Sequence, residues 1–257
     1  MKIYADMKND NEITEESVQA FNDNGFLRIP GLLSPEEAAR CADFVMTSVE
    51  DANNKDLQTG ETAIFAQFVN LWTVNEAVKG LSMHPKLISI VKQLAGVPIR
   101  FWHDQALIKY PGKSAPTEWH QDEPFWPHEG PRFACAAWIA LADVTVQRGC
   151  MSYIPGYQDG DAMPIDDLGN KRALFNKCPE MEFEAVTTIP LKAGDCTVHH
   201  CRTPHAAGAN ITEDPRIAHI SCFRDAEAIY NGKSHVVTDG LGLKVGGKFD
   251  HPLFPLL

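Results

Sequence analysis

Near residue 97 the chain changes its hydrophobic period, and that change restricts the fold more than any other feature of the sequence. Upstream, apolar residues recur at helical spacing. Downstream, short extended segments are separated by Pro, Gly and Asp turn signals. Ser34-Pro35-Glu36-Glu37 combines an N-cap, a proline at the first helical position and a capping-box glutamate. The helix that follows is predicted to run to about residue 50, with Ala38, Cys41, Phe44, Val45 and Val49 on its apolar face. A shorter helix is predicted over 15–24 with Thr14 as its N-cap. A third begins near Pro85, carries Leu87, Ile88, Ile90, Val91 and Leu94, and ends before Gly96. Residues 25–31 read as a strand closed by a Pro/Gly break. Further extended segments are expected over 99–110, 134–142, 149–154, 184–189, 194–200 and 217–224. Helices first and strands afterwards, without βαβ alternation, indicate an α+β protein or a β-sandwich with a helical flank. No internal repeat, low-complexity tract or linker interrupts the chain, so one domain is expected, behind a polar, loose N-terminal stretch of about ten residues.

A chain of 257 residues can bury a substantial core. Its net charge of -11 argues against a nucleic-acid partner and against an anionic membrane surface. No apolar run is long enough to span a bilayer, and residues 1–6 lack the apolar core of a secretory signal. Seven cysteines, odd in number and without a C-x-x-C pair, suggest neither a disulfide framework nor a zinc knuckle, and read as small buried hydrophobes. A cytoplasmic protein is therefore expected. Residues 156–183 carry Asp159, Asp161, Asp166 and Asp167 among several glycines, the composition of a lid, a binding loop, a disordered stretch or a solvated connection.

Two distant segments carry the chemistry. In Trp119-His120-Gln121-Asp122, an extended backbone would set His120 and Asp122 on one face and turn Gln121 away. An imidazole beside a carboxylate supplies two of the three ligands of the 2-His-1-carboxylate facial triad of non-haem Fe(II). Taken alone, such a tripeptide is most often an ordinary surface or core feature. About eighty residues on, the segment from Gly194 to Asn210 holds His199, His200 and His205, and Arg216 opens an apolar strand soon after. One of these histidines can complete the ligand set, and an arginine fork suits a ligand carboxylate. In isolation, Arg216 reads better as a strand-end residue paired to Glu213 or Asp214. Of the remaining histidines, His128 is a candidate for a pocket wall, whereas His103 and His219 read as structural. His84, His235 and His251 read as turn or surface residues. Phe101, Trp102, Trp119, Phe125 and Trp126 suit a partly apolar pocket as well as ordinary sheet packing.

His120-Gln121-Asp122, then His205, then Arg216 eleven residues later, resembles the phytanoyl-CoA dioxygenase-like branch of the Fe(II)/2-oxoglutarate oxygenases. Trp138, the run from Gly149-Cys150-Met151 to Ile154-Pro155-Gly156, and the opening Gly25-Phe26-Leu27-Arg28-Ile29-Pro30-Gly31 agree with it, so that the likeness covers about residues 15–225. The chain departs from the pattern at Tyr157-Gln158, where Ser-His is common, and at Ala206-Ala207-Gly208, where Gly-Ser-Gly is usual.

The resemblance implies a mainly β fold with flanking helices: a double-stranded β-helix (a cupin-like jelly-roll) core at about 97–225, packed against a helical flank at about 13–95 and followed by a C-terminal tail at 226–257. It implies His120, Asp122 and His205 as ligands of Fe(II), and Arg216 as the anchor of the far carboxylate of 2-oxoglutarate. Trp138, Gln121 and Lys109 become candidate co-substrate contacts, with Arg132 a weaker carboxylate partner. Spacing to Arg216 favours His205 over His199 and His200, which strand alternation would split between core and exterior. The implied activity consumes O2 and 2-oxoglutarate, releases succinate and CO2, and hydroxylates an aliphatic carbon of a small-molecule substrate. Related halogenases lack the carboxylate ligand, so Asp122 favours hydroxylation. A monomer or homodimer is expected. The rival readings are a non-catalytic jelly-roll metal-binding or sensor protein and a Zn-dependent hydrolase on a cupin-like barrel.

Overall fold

The computed structural model describes residues 13–50, 64–112 and 114–257. The N-terminal polar stretch expected to be loose lies outside the described residues. Helix α1 (Glu15–Asn24) starts at Thr14, whose side chain accepts from the Ser17 N–H at 3.1 Å. After β1 (Phe26–Ile29) comes α2 (Pro35–Glu50), and its capping box is complete. The Glu37 N–H donates to Ser34 Oγ at 3.2 Å, and the Ser34 N–H donates to Glu37 Oε2 at 2.8 Å. Ala38, Val45 and Val49 of α2 are buried as expected, but Phe44 is 41% exposed. Strand β2 (Ala66–Val69) and helix α3 (Glu76–Ser82) precede α4 (Pro85–Ala95), which stops at the left-handed Gly96.

The strands follow as β3 (Ile99–Lys109), β4 (Thr117–His120), β5 (His128–Glu129), β6 (Ala134–Ala140) and β7 (Met151–Tyr153). Helix α5 (Ala173–Lys177) then leads to β8 (Thr187–Ile189), β9 (Cys196–His200), β10 (His205–Ala207), β11 (Arg216–Asp225) and β12 (Ile229–Tyr230). They form a six-stranded sheet ordered β1-β9-β6-β11-β3-β2, a four-stranded sheet ordered β4-β10-β7-β8, and the small pair β12-β5, all antiparallel. This is the jelly-roll, with helices on the outer face of the large sheet.

Strand β6 is apolar along its whole length because it is covered on both faces. Cys135, Ala137 and Ile139 face the helices, while Ala134, Ala136, Trp138 and Ala140 face the space between the sheets. With both faces covered, neither set can be polar. Along β3 and β11 the register slips beside Cys222, which pairs with His103 while Phe223 pairs with Phe101. Trp102 is the extra residue, and the bulge turns both Trp102 and His103 inward while Phe101 packs among the helices.

One region differs from its sequence reading, and a second is more ordered than a solvated connection. The C-terminal residues 226–257 are not a tail: Phe249 and Phe254 are fully buried and pack on Trp102 with ring centroids 5.5 and 5.0 Å away. The 156–183 segment has a small core of its own, in which Ile165, Leu174, Cys178 and Met181 pack with Ile154. No helix among the described residues is long and apolar enough to cross a membrane.

Gly25 joins the first helix to the large sheet at φ +80°, a left-handed conformation that favours glycine. A Cβ there would collide with Thr203 Oγ1 and stand 2.8 Å from Gln158 Oε1. Thr203 is fixed in turn, donating to the Gly25 carbonyl at 2.7 Å. Gly25→Ala is expected to destabilise the fold by about 2–3 kcal/mol, lowering Tm by roughly 4–10 °C in thermal unfolding; an unchanged Tm would contradict this packing.

Candidate active site

Strand β4 ends at His120. Asp122 is not on an extended strand, as the period-two argument supposed: it has φ -75° and ψ -39° and leads into a 3-10 turn over Glu123–Phe125. The turn is set by the Cys201 carbonyl, which accepts from the N–H groups of Asp122 at 2.8 Å and Glu123 at 3.0 Å. The carboxylate thereby reaches the same side as His120 by a bend in the chain. Gln121 turns away, as alternation suggested, but it is not a co-substrate contact. Its Nε2 donates to the Arg202 carbonyl at 2.6 Å and its Oε1 accepts from the Met163 N–H at 2.7 Å.

Strand β10 lies beside β4 with His205 opposite His120, and the two ring centroids are 4.2 Å apart. Both imidazoles are held by backbone. His120 Nδ1 lies 2.8 Å from the Glu118 carbonyl oxygen and His205 Nδ1 lies 2.9 Å from that of Thr203. A carbonyl oxygen only accepts, so each Nδ1 carries the proton and each Nε2 presents a lone pair. The Nε2 atoms lie 3.9 Å (His120) and 3.7 Å (His205) from Asp122 Oδ1. Ligand atoms of all three residues fall within 4.8 Å of one another. Two neutral imidazole nitrogens and one carboxylate oxygen on one side of a cavity fit a facially bound Fe(II).

The other carboxylate oxygen is occupied by a residue the sequence reading placed only as a rival ligand. His199 Nε2 stands 3.3 Å from Asp122 Oδ2, and its ring centroid is 4.4 Å from that of His205. His199 thus holds the carboxylate with Oδ1 towards the two histidines. His200, the next residue along the strand, faces the other way and accepts the Arg202 N–H at Nδ1, so the expected split of the pair holds. Burial by itself would raise the Asp122 pKa, but His205, His199 and His120 outweigh it and hold the carboxyl well below the ordinary carboxylate range. Burial also lowers His120 and His205, favouring the neutral, ligating form of each.

A cavity of about 520 Å³ opens over this cluster. Arg216 and Trp138 line it together, with the guanidinium carbon 5.3 Å from the indole centroid. Arg216 is not paired with Glu213 or Asp214. Its Nη1 donates to the Gly149 carbonyl at 3.1 Å, its Nε is buried without a partner, and among the described residues no carboxylate comes within ion-pair distance of it. Burial lowers its pKa to about 9, which leaves it charged at neutral pH. An unpaired buried cation is destabilising unless an anion completes it, and the far carboxylate of 2-oxoglutarate fits that need.

Lys109, also expected near the co-substrate, is committed elsewhere: its Nζ donates to the Ala115 and Gly208 carbonyls, both at 2.8 Å. Burial, reinforced by the charge of Arg216, lowers its pKa to about 6. Arg132 pairs with Asp225 at 2.8 Å on the surface. His128 packs against Trp126 at 5.5 Å but does not line the cavity. His103 and His235 do line it, contrary to their structural and surface readings. Asp166, Asp167 and Leu168 bring the 156–183 segment to the cavity, and the Leu168 carbonyl accepts from the Glu118 N–H at 2.8 Å, two residues before His120.

A jelly-roll carrying two histidines, a carboxylate and an unpaired guanidinium in one cavity defines the non-haem iron, 2-oxoglutarate-dependent oxygenases. Comparison with known proteins gives the same answer. Residues 21–218 match the model of the family Phytanoyl-CoA dioxygenase (PhyH). The chain is 24% identical over 212 residues to a probable alpha-ketoglutarate-dependent hypophosphite dioxygenase of Stutzerimonas stutzeri, covering 76% of this chain and 73% of that protein. Among solved structures it is similar to the alpha ketoglutarate-dependent carbocyclase SnoK of nogalamycin biosynthesis, with a TM-score of 0.87, 30% identity and coverage of 98% and 99% of the two chains. It is also similar to the epimerase SnoN in complex with Fe3+, alpha ketoglutarate and nogalamycin RO, with a TM-score of 0.80, 28% identity and coverage of 94% and 97%. The chain belongs to the phytanoyl-CoA dioxygenase family and is a 2-oxoglutarate-dependent non-haem iron dioxygenase.

Because His199 orients the carboxylate, His199→Ala is expected to weaken Fe(II) binding by about 10–100-fold in an anaerobic metal titration. Unchanged affinity would mean that Asp122 is held by other contacts.

Proposed function

We propose that the enzyme oxidises an aliphatic carbon of a small-molecule metabolite, with hydroxylation as the outcome, and that His120, Asp122, His205 and Arg216 carry the reaction. The observation that carries this reading is the conjunction of three inward ligand atoms with a buried, unpaired guanidinium in the same cavity. His120 Nε2, His205 Nε2 and Asp122 Oδ1 would hold Fe(II), and Arg216 would take the distal carboxylate of 2-oxoglutarate with Trp138 packed beside it. Fe(II), when bound with 2-oxoglutarate and O2, supplies an oxidant strong enough to break an unactivated C–H bond, with succinate and CO2 released.

The chain's own contribution is positioning and protection. The Glu118 and Thr203 carbonyls keep both histidines in the ligating tautomer, and His199 keeps Asp122 turned towards them. The apolar wall formed by Leu107, Ile220, Met151 and Trp126 limits water around the reacting carbon. A zinc hydrolase would have no use for Arg216, which favours the oxygenase over that rival.

A second outcome, ring closure or inversion of a stereocentre, is favoured by the likeness to the carbocyclase SnoK and the epimerase SnoN. Product mass separates the outcomes: hydroxylation adds one oxygen, oxidative ring closure removes two hydrogens, and epimerisation leaves the mass unchanged.

Asp122→Ala is expected to abolish succinate formation from 2-oxoglutarate; near wild-type turnover would overturn its role as a ligand. For Arg216→Ala, loss of a buried charge-assisted pair, typically about 2–5 kcal/mol, should raise the 2-oxoglutarate requirement tens-fold or more. An unchanged KM for 2-oxoglutarate would mean that the anchor lies elsewhere.

A further inference from the structure

Away from Arg216, the cavity wall carries two imidazoles that the reading above leaves without a task. On β3, Lys109 pairs with Arg216 and His103 pairs with Cys222. Their separation of six residues amounts to roughly 20 Å of strand at ~3.3 Å per residue, so His103 lies at the opposite end of the cavity from the co-substrate anchor. His235 comes from the C-terminal segment and packs against it, its ring centroid 5.9 Å from that of His103 and 5.4 Å from that of Trp102. Trp126, Ile220 and Val236 supply the apolar surface around the pair.

Their backbone contacts give the two rings opposite polarity. His103 Nδ1 lies 3.2 Å from the Asp104 carbonyl oxygen, so the proton is on Nδ1 and Nε2 is an acceptor. That Nε2 is buried and has no partner in the protein. His235 Nδ1 accepts from the Val237 N–H at 3.2 Å, so its proton is on Nε2, which is a donor. Burial keeps both rings neutral, lowering His103 to about 3 and His235 to about 4.

The ligand chemistry follows from that pairing. A carboxylate would be welcomed by His235 but would face the lone pair of His103. An ammonium would face the His235 N–H and the repulsion of the nearby buried Arg224, whose charge acts on both histidines. A hydroxyl satisfies both nitrogens with one atom, and rings with centres 5.9 Å apart can share a single oxygen. We propose that His103 and His235 form the substrate-recognition subsite, taking a hydroxyl on an otherwise apolar part of the substrate: the hydroxyl donates to His103 Nε2 and accepts from His235 Nε2–H. The inference rests on the oxygenase reading, and it assigns the residues that select the substrate.

Calorimetric titration of the full chain, loaded anaerobically with Fe(II) and 2-oxoglutarate, tests it with 2-naphthol against 2-methoxynaphthalene and naphthalene. The free hydroxyl should bind about tenfold tighter or more, since two hydrogen bonds to buried groups are at stake. His103→Phe and His235→Phe should each reduce that preference, and His103→Gln, which keeps an acceptor, should retain part of it. Melting temperatures of the variants verify folding. Equal affinity for the three probes, no binding of 2-naphthol, or a preference that survives both phenylalanine substitutions overturns the subsite. Failure of the loaded protein to bind 2-oxoglutarate overturns the oxygenase reading as well, whereas intact 2-oxoglutarate binding without a hydroxyl preference overturns the subsite alone.

Discussion

The pairing of His205 with His120 joins two short strands that lie eighty-five positions apart in the chain. Everything else at the site is arranged to hold that contact in a usable form. Two imidazoles at a centroid separation of 4.2 Å would repel one another if both were protonated. Burial keeps both rings neutral, and the Glu118 and Thr203 carbonyls fix Nδ1–H on each, which points both lone pairs at the same space. Asp122 then brings a negative charge to the pair, and His199 fixes which oxygen is turned inward. The large sheet, backed by helices on one face and by the cavity on the other, is the rigid frame on which β9 and β11 carry His199 and Arg216.

Charge is distributed along β11 in a way that orders the cavity. Arg216 opens the strand and Arg224 stands near its end, both fully buried. Arg216 lacks an anionic partner and lines the cavity, so it is available to a ligand. Arg224 is instead enclosed by aromatic rings, with its guanidinium carbon 3.3 Å from the Trp102 centroid and 3.8 Å from that of Phe249, a cation–π environment that compensates part of its burial. The same chemical group therefore serves ligand binding at one end of the strand and attachment of the C-terminal segment at the other.

Local signals were legible wherever local physics decides the structure. The capping box at Ser34–Glu37, the N-cap at Thr14 and the glycine stop at Gly96 placed three helices. Strand β6 was legible as an apolar run because both of its faces are covered. The motif residues His120, Asp122, His205 and Arg216 were read from a family resemblance, and the structure brings all four to one cavity. Long-range pairing was not legible: β4 and β10 are too short to show a period, and the bend that aims Asp122 depends on the Cys201 carbonyl from a distant segment. His103 was obscured by a bulge that breaks strand alternation, and His235 by a segment of turns whose buried Phe249 and Phe254 follow no periodic pattern. Lys109 and Gln121 illustrate the converse, polar side chains near the motif whose hydrogen-bonding groups are taken up by backbone.

The account stands on one coordination set, and a crystal structure of the protein soaked anaerobically with Fe(II) and 2-oxoglutarate reads it directly. It predicts the metal on His120 Nε2, His205 Nε2 and Asp122 Oδ1, His199 unligated on the far carboxylate oxygen, and the distal carboxylate of 2-oxoglutarate on Arg216. Metal bound by His199 in place of His205, or a co-substrate carboxylate seated away from Arg216, would contradict it.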